Sequence, residues 1–398
     1  MFLGVTRMML LLLFSLALGV QVVYGGLLYR GLRRARRRDP SHRPALPAGE
    51  DLPPLSVVVA ARDEEADLLA LLEALARQTH PRFEVVLVDD ASTDRTPQIA
   101  RDWIDALPDD RGDEDGVTGR LVRVEDPKPP RKKHALTRGV AAARHPLLAF
   151  TDADCTPPPG WLEALARAHA AFAHDGDDAG SDRTSAAPLL IGYSPYRRAE
   201  DASLLNRFAR WETFFAGALA AGACGLGRPY MAVGRNLSYL RALFERIGGF
   251  AHARASMSGD DDLLVQEVHR RRAAPVRHVF GPETFVETDA PPSWRAWLRQ
   301  KRRHASAGRF YAAAPSAHLT AFNLTSALLW LAPLVLWPGG VALLAGKWLV
   351  QAAALWPAAR AFGETDLLPA LPLWDAGYAL YNALVVPLGL VKLPEEWG

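Results

Sequence analysis

Two pairs of carboxylates follow apolar runs that are typical of buried strands. Asp89 and Asp90 end FEVVLVDD, and Asp152 and Asp154 end HPLLAFTDAD. Capping of a following helix accounts for a single acid at such a place, but not for two. Carboxylate oxygens with open coordination positions suit Mg²⁺ or Mn²⁺, and either ion can also hold a diphosphate. The spacing therefore predicts a metal-assisted diphosphate site.

A third acidic cluster and a basic segment add further candidates. Asp260, Asp261 and Asp262 open the helical pattern SGDDDLLVQEV, where one or two acids would satisfy the helix dipole. A carboxylate held among other acids tends toward a raised pKa, as a general base requires. Gln300 and Arg303 are three residues apart on one face of a predicted helix, and from there they could hold a leaving diphosphate.

Alternating strand and helix patterns surround these residues. LSVVVAA reads as a buried strand, EEADLLALLEALARQ as an amphipathic helix, FEVVLVDD as a second strand and TPQIARDWIDAL as a second helix. Such alternation predicts a doubly wound α/β sheet with right-handed crossovers. Ligands of these sheets bind at the carboxyl ends of the strands, which is where both acidic pairs occur.

The N-terminal segment predicts a membrane anchor. Met8 to Tyr29 carries no charge and is long enough to span a bilayer. A cleaved signal peptide is the alternative, but the run is too long and lacks a clear small-residue cleavage site. The arginines that follow indicate a cytoplasmic flank and favour anionic lipid over nucleic acid as their partner. They are Arg30, Arg33, Arg34, Arg36, Arg37, Arg38 and Arg43.

The C-terminal third predicts two or three further spans, and three are favoured. Leu319–Gly346 and Ala376–Val391 lack charge, and Lys347 interrupts the apolar stretch Gly339–Ala359. A lysine at that depth needs a partner or water. The aromatic and basic segment 293–318, with Trp294, Trp297, Leu298 and Phe310, suits a helix lying on the membrane surface.

Composition sets broad limits. The chain has 398 residues, a formal net charge of +2 and two cysteines, Cys155 and Cys224. Two cysteines cannot form a disulfide framework, and the chain suits a reducing compartment. The polar inserts 108–116 and 174–183 are predicted to be solvated loops.

Taken together in order, the motifs resemble the membrane-anchored branch of the inverting glycosyltransferases of family 2, which includes cellulose-synthase-like proteins. The resemblance covers about Leu55 to Phe310 and implies the GT-A fold, a mixed doubly wound sheet flanked here by N- and C-terminal transmembrane helices. The motifs are SVVVAARDEE, VLVDDASTD, KKHALTRG, TDADC, NLSYLRALFERIGGF, GDDDLL and QKRRH.

The resemblance also implies roles for the donor-side residues. Ala61 and Glu64 would line the nucleotide base and ribose, and Asp90 would contact the base. Lys132 would approach the donor. Asp152 and Asp154 match the family's Asp-x-Asp pair and would bind Mg²⁺ or Mn²⁺, with Asp154 the more direct ligand and Asp152 also near the donor.

On the acceptor side, Asp261 matches the base that deprotonates the acceptor hydroxyl, and Asp260 is placed beside it as a substrate-binding residue. Gln300 and Arg303 match the first and fourth positions of the family's Gln-x-x-Arg-Trp motif. His304 stands where that motif has tryptophan, which weakens the case for a polymer synthase. A histidine there could bind an acceptor phosphate or simply lie on the surface.

The expected function is membrane-bound, inverting transfer of a sugar from a nucleotide sugar, UDP being favoured over GDP, to a lipid-linked or membrane-presented acceptor. A processive polysaccharide synthase, a sugar-nucleotide pyrophosphorylase and a catalytically inactive scaffold remain alternatives. The catalytic domain is expected on the cytoplasmic side of the plasma membrane, and no nucleic-acid partner is expected. The predicted segments are an anchor (1–30), a basic cytoplasmic linker (31–52), a nucleotide-sugar half (53–185), an acceptor half (186–292), an interfacial helix (293–318) and a membrane region (319–398).

Overall fold

The computed structural model describes residues 2–40, 51–108, 116–175, 187–199 and 203–391. Most of both polar inserts, and the second half of the predicted basic linker, lie outside the described residues. The first half of that linker is helical, because the N-terminal helix continues through the arginines to Arg37. The N-terminal helix thus extends past the boundary predicted at residue 30.

A mixed seven-stranded sheet forms the centre of the fold, in the order β3-β2-β1-β4-β7-β6-β8. Only β7 runs antiparallel to its neighbours, and a small second sheet pairs β5 with β9. The strands are β1 (Leu55–Ala61), β2 (Arg82–Asp89), β3 (Gly116–Arg123), β4 (Leu147–Phe150), β5 (Cys155–Thr156), β6 (Leu189–Gly192), β7 (Leu237–Leu240), β8 (Val276–Val279) and β9 (Glu287–Thr288).

Helices cover both faces of this sheet. Alternate side chains of β1 point to opposite faces, so Val58 packs in one core and Val57 in the other. The helices of the globular part are α2 (Leu68–Ala76), α3 (Thr96–Asp105), α4 (Arg131–Ala142), α5 (Trp161–Asp175), α6 (Leu204–Gly225), α7 (Arg241–Arg246) and α8 (Asp262–Arg271). The long N-terminal helix is α1 (Phe2–Arg37), and the C-terminal helices are α9 (Trp294–Ser306), α10 (Ala313–Val335), α11 (Gly339–Phe362) and α12 (Leu371–Val391).

The register of the parallel strands brings the predicted acids to one edge. Ala61 pairs with Asp89 across β1 and β2, and Val58 pairs with Phe150 across β1 and β4. The chain segments that leave β2 and β4 therefore start at neighbouring points of the sheet. The doubly wound architecture predicted from the alternating pattern is confirmed.

Within the described residues, α1, α10 and α11 are the helices long and apolar enough to cross a membrane. They pack side by side, and Gln21 of α1 donates hydrogen bonds to the Phe322 carbonyl and the Thr325 hydroxyl of α10. Two C-terminal helices thus qualify as spans.

The third C-terminal helix, α12, does not qualify as a span by length and composition. Its Asp375 contacts Lys347, about four turns back from the end of α11. Its other end packs against α9, where a side chain at Gly389 would meet the Arg302 carbonyl. The favoured prediction of three C-terminal spans is not supported, because α12 reaches into the bundle and ends again beside α9.

The partner that Lys347 requires is present. Its Nζ lies 2.6 Å from Asp375 Oδ2, which also accepts hydrogen bonds from the indole N–H groups of Trp330 and Trp348. The side chains of the ion pair are 1% and 3% exposed. This cluster joins α10, α11 and α12.

Replacing Lys347 with methionine should destabilise the protein by about 3–5 kcal/mol, because it leaves Asp375 buried and ionised without its partner. Thermal unfolding in detergent measures the change. The double variant Lys347→Met/Asp375→Leu should recover most of the loss, since it removes both charges. Equal instability of the single and double variants would contradict a role for the ion pair.

The basic aromatic segment forms helix α9, which ends at Ser306, so residues 313–318 belong to α10 rather than to an interfacial helix. Trp294, Leu298 and Phe310 are exposed, as a surface-lying helix requires. Trp297 is 2% exposed and packs against Phe208 and Tyr381. Its predicted contact with lipid is therefore wrong, because the indole fills a core between helices.

Candidate active site

The two acids at the end of β2 have different surroundings. Asp89 accepts a hydrogen bond from Ser92 N–H and pairs with Arg123 of β3 at 3.3 Å, which stabilises the turn. Asp90 is fully buried and its Oδ2 lies 2.9 Å from Arg131 Nε, while its buried Oδ1 has no hydrogen-bond partner in the structure. Burial raises the pKa of Asp90 against the influence of Arg131. The Oδ1 atom of Asp90 can therefore accept a hydrogen bond from a ligand.

The loops after β1 and β2 are tied together beside Asp90. Asp63, in the left-handed region at φ 55°, accepts a 2.7 Å hydrogen bond from Thr93 N–H, and Thr96 Oγ1 accepts one of 2.8 Å from Glu64 N–H. These bonds fix the backbone of Glu64 next to the end of β1. Burial and the negative charge of Asp154 raise the pKa of Glu64 to about 7. Glu64 therefore faces the Asp-x-Asp pair.

Lys132 joins two of the acidic clusters. Its Nζ lies 2.9 Å from Asp152 Oδ1 and 3.2 Å from Asp260 Oδ2, although these acids are far apart in sequence. Burial opposes the charge of Lys132, but Asp152 and Asp260 outweigh it and raise its pKa. The same contact holds the pKa of Asp152 below its usual value despite burial. Lys132 is therefore a fixed positive charge between the end of β4 and the start of α8.

The Asp-x-Asp segment fits a divalent cation. The Asp154 side chain is exposed, and its backbone carbonyl accepts a 3.0 Å hydrogen bond from Thr288 Oγ1 where β5 pairs with β9. Among the described residues no cluster of three or more acids, histidines or cysteines could hold a metal alone. An ion here would take one or two carboxylates from the protein and its other oxygens from a diphosphate and water, as Mg²⁺ commonly does.

The three acids at the start of α8 have different partners. Asp260 pairs with Lys132, and Asp262 accepts hydrogen bonds from the Tyr311 hydroxyl and from Ala232 N–H. Asp261 accepts from Gly234 N–H at 2.9 Å and from Asp262 N–H at 2.7 Å. Burial and the charge of Asp260 raise the pKa of Asp261 to about 6. Asp261 is thus oriented by the backbone, and its raised pKa suits a general base.

If Asp261 is the base, the turnover rate should fall as pH drops through about 6, because the raised pKa protonates the carboxylate there. Above that pH the turnover rate should no longer depend on the protonation of Asp261. Donor affinity should have a different pH dependence, because the lowered pKa of Asp152 keeps that carboxylate ionised at lower pH, whereas Glu64 on the donor side has a pKa of about 7 and takes up its proton at higher pH. Turnover and donor binding measured between pH 5 and 8 with Mn²⁺ separate the two; parallel loss of both would contradict this assignment.

Helix α9 brings Gln300 and Arg303 to the same region. Gln300 Oε1 accepts a 2.9 Å hydrogen bond from the Tyr196 hydroxyl, and Arg303 is close enough to Asp152 to contribute to the lowering of its pKa. The His304 side chain is exposed. Arg235, which the sequence did not single out, lies over the Tyr196 ring at 5.5 Å.

Lys133 is a second residue that the sequence did not single out. It is 2% exposed and donates to three backbone carbonyls, those of Ala253 at 3.1 Å and of Ser256 and Ser258 at 2.7 Å each. Burial lowers its pKa to about 8. Lys133 holds the loop that leads to Asp260, while the adjacent Lys132 contacts the acid itself. Both lysines lie in the motif KKHALTRG, but the resemblance implied a role for Lys132 alone.

Comparison with known proteins agrees with this architecture. Residues 56–221 match the family model Glycosyl transferase family 2. The chain is 24% identical over 269 residues to a probable glycosyltransferase, YdaM, of Bacillus subtilis, a match covering 66% of this chain and 56% of the relative. It is 32% identical over 114 residues to the glycosyltransferase AglE of Haloferax volcanii, covering 28% and 34% of the two chains. The matches thus span about half or less of these curated relatives.

Among solved structures, the fold is similar to that of the mannosyltransferase PcManGT from Pyrobaculum calidifontis, determined in complex with GDP-Man and Mn²⁺. The TM-score is 0.51 at 22% identity, and the match covers 93% of this chain and 99% of that one. This likeness shows the shared GT-A fold. Residues 56–221 are therefore similar in sequence to the glycosyltransferases of family 2, and the described chain has the GT-A fold.

Proposed function

We propose that the protein is a membrane-bound inverting glycosyltransferase that moves a sugar from a nucleoside diphosphate sugar to a hydroxyl of a lipid-linked or membrane-presented acceptor. The observation that carries this proposal is the position of Lys132, whose ammonium lies between Asp152 and Asp260. This contact supports a single site that combines the Asp-x-Asp pair, a cation for phosphate and the acidic start of α8.

On the donor side, Ala61, Glu64 and Asp90 form the nucleoside pocket. The unpartnered Oδ1 of Asp90 accepts an N–H of the base, and Arg131 holds the other oxygen. Glu64 reaches toward the ribose from a backbone fixed by Thr96. Filling the buried oxygen's hydrogen-bonding capacity favours binding, because a buried acceptor left unpaired is costly.

At the diphosphate, Asp154 and Asp152 would hold the divalent cation, Mg²⁺ or Mn²⁺. When bound, the ion supplies a Lewis acid that neutralises charge on the leaving nucleoside diphosphate. Lys132 adds a fixed positive charge on the donor side, and Gln300 and Arg303 approach from α9. Charges held in place before the reaction stabilise the developing negative charge without reorganisation.

At the acceptor, Asp261 takes the hydroxyl proton as the oxygen attacks the anomeric carbon. The bond to the leaving phosphate oxygen breaks on the opposite side, so one displacement inverts the configuration. Two backbone N–H groups orient the Asp261 carboxylate, and Asp260 and His304 line the acceptor side. The acceptor approaches from the membrane, since α9 and the spans adjoin the site.

Screening the detergent-purified protein with a panel of UDP- and GDP-sugars tests the proposal. Nucleoside diphosphate release is expected with Mn²⁺ or Mg²⁺ and not with chelator, and UDP-sugars are the favoured donors. The related fold of PcManGT was solved with GDP-Man, so GDP-sugars belong in the panel. Failure of all donors with both metals, by folded protein, would contradict the proposed reaction.

The arginines at the end of α1 favour an orientation in which the protein is anchored in the plasma membrane and its catalytic domain lies on the cytoplasmic side. Since α10 leaves the domain and α11 returns to it, we infer that both ends of α12, and with them the end of the described chain, lie on the cytoplasmic side too. Cysteine placed at Trp337, between α10 and α11, should react with an impermeant reagent in intact cells.

Cysteine at Arg101 or at Val391 should react only after lysis. All three positions are exposed, and the native Cys155 and Cys224 are buried and give a low background. Outside labelling at Arg101→Cys would reverse the orientation. Outside labelling at Val391→Cys alone would make α12 a third C-terminal span.

A further inference from the structure

An apolar groove of about 380 Å³ lies between α6, α9 and α12, away from the acidic site. Phe208, Trp297 and Trp374 form its buried floor, and the exposed side chains of Trp294 and Leu384 form its rim. Its lining is almost entirely hydrocarbon and aromatic. An exposed apolar groove of this kind commonly marks a site for a ligand, a protein or a membrane lipid.

A row of arginines borders this groove. Arg295, Arg299 and Arg302 follow the i, i+4, i+7 spacing on α9, so they form one face of the helix. Leu298, which lines the groove, lies on the side of the helix next to this face. All three arginine side chains are exposed, and none forms an ion pair with a described residue. The arginine face therefore offers uncompensated positive charge beside an apolar cleft.

The apolar groove and the arginine face lie side by side. Together they would suit an amphiphile that has a hydrocarbon chain at one end and an anionic group at the other. A bare hydrocarbon chain would use the groove but not the arginines, and a free phosphate would use only the arginines. A phospholipid with an anionic headgroup uses both, and each arginine near a membrane surface contributes favourably to binding such a lipid.

We propose that the groove between α6, α9 and α12 binds one anionic phospholipid, with an acyl chain in the cleft and the headgroup phosphate on the arginine face. This proposal rests on the membrane attachment proposed above and not on the sugar chemistry. A lipid bound here would hold α9 in place, and the third face of that helix carries Gln300 and Arg303. The bound lipid is thus a structural partner of the catalytic helix.

Native mass spectrometry of protein extracted from nanodiscs of phosphatidylcholine with phosphatidylglycerol tests this assignment. One phosphatidylglycerol should be retained per chain, in preference to phosphatidylcholine. The variant Arg295→Gln/Arg299→Gln should lower that retention about tenfold. Ala376→Phe, which fills the groove from α12, should lower retention of either lipid.

The matched control is Arg101→Gln/Arg138→Gln, which removes two exposed arginines from α3 and α4 and should leave retention unchanged. Thermal unfolding shows that each variant is folded. Equal retention of the two lipids by the wild type, or equal loss in the control, would overturn the proposal. Preferred retention of an added polyisoprenyl phosphate over phosphatidylglycerol would also overturn it, because the groove would then bind the acceptor. Because the readout is lipid binding, an inactive protein with selective retention would contradict the sugar-transfer proposal alone.

Discussion

Asp261→Asn is expected to lower sugar transfer by about 10²–10⁴-fold, the usual contribution of a general base. The amide cannot take the acceptor proton, although it fills the same space beside Gly234. Donor and metal binding should remain close to wild type, because the proposed function assigns those contacts to Asp90, Asp152 and Asp154. Turnover and donor affinity measured with the same nucleotide sugar give both quantities.

Asp102→Asn is a matched control, since this exposed acid on α3 lies outside the site. It should leave both quantities unchanged. A fall in donor affinity as large as the fall in turnover would place Asp261 in the donor site instead. Wild-type turnover of Asp261→Asn would move the base to Asp260, whose carboxylate faces Lys132.

Asp154→Asn is expected to reduce turnover by about 10³-fold or more, because the leaving diphosphate loses the carboxylate that holds its cation. Mn²⁺-dependent donor binding should weaken with it. The fold should survive, since the exposed Asp154 side chain contributes little to packing and its backbone carbonyl still accepts from Thr288.

Titration of the donor with and without Mn²⁺ separates the metal contribution from direct contacts. Wild-type protein should bind the donor more tightly with Mn²⁺, and Asp154→Asn should show little difference between the two conditions. Normal turnover and normal Mn²⁺ dependence in Asp154→Asn would contradict the metal assignment. The Asp102→Asn control serves here as well.

The parts of the fold that the sequence predicted correctly have strong local patterns. Strands β1, β2 and β4 are mostly apolar and buried on both faces, so their ends and the acids at or after those ends can be located without a structure. Strand β3 was missed because GVTGRLVR is half-buried with two glycines, and it becomes a strand only by pairing with β2. Strands β5 and β9 have two residues each and no pattern of their own.

In the candidate site, too, residue types were predictable from the sequence and individual contacts were not. Asp89 and Asp90 are chemically equal in the sequence, and only Ser92 and Arg123 show that Asp89 serves the turn. Lys132 and Lys133 are equally alike, yet one contacts acids and the other contacts carbonyls of a distant loop. Such differences depend on contacts between segments far apart in the chain, which residue types and spacing do not encode.

Helix α12 is the case where the sequence pattern favoured a span and the structure does not support one. Its apolar length satisfied the expectation for a span, but Asp375 contacts Lys347 and Gly389 packs against Arg302. These contacts return the helix to the side from which α10 departs. Charge-free length alone cannot distinguish a helix that crosses the bilayer from one that is buried against other helices.

The stereochemistry of the reaction is the most direct test of inverting transfer with Asp261 as base. Proton NMR of the first sugar product formed from the best donor of the panel reads the anomeric configuration before mutarotation. An α-linked donor should give a β-configured product, because a single displacement inverts the anomeric carbon. A product that retains the donor's configuration would contradict the single displacement and the role assigned to Asp261.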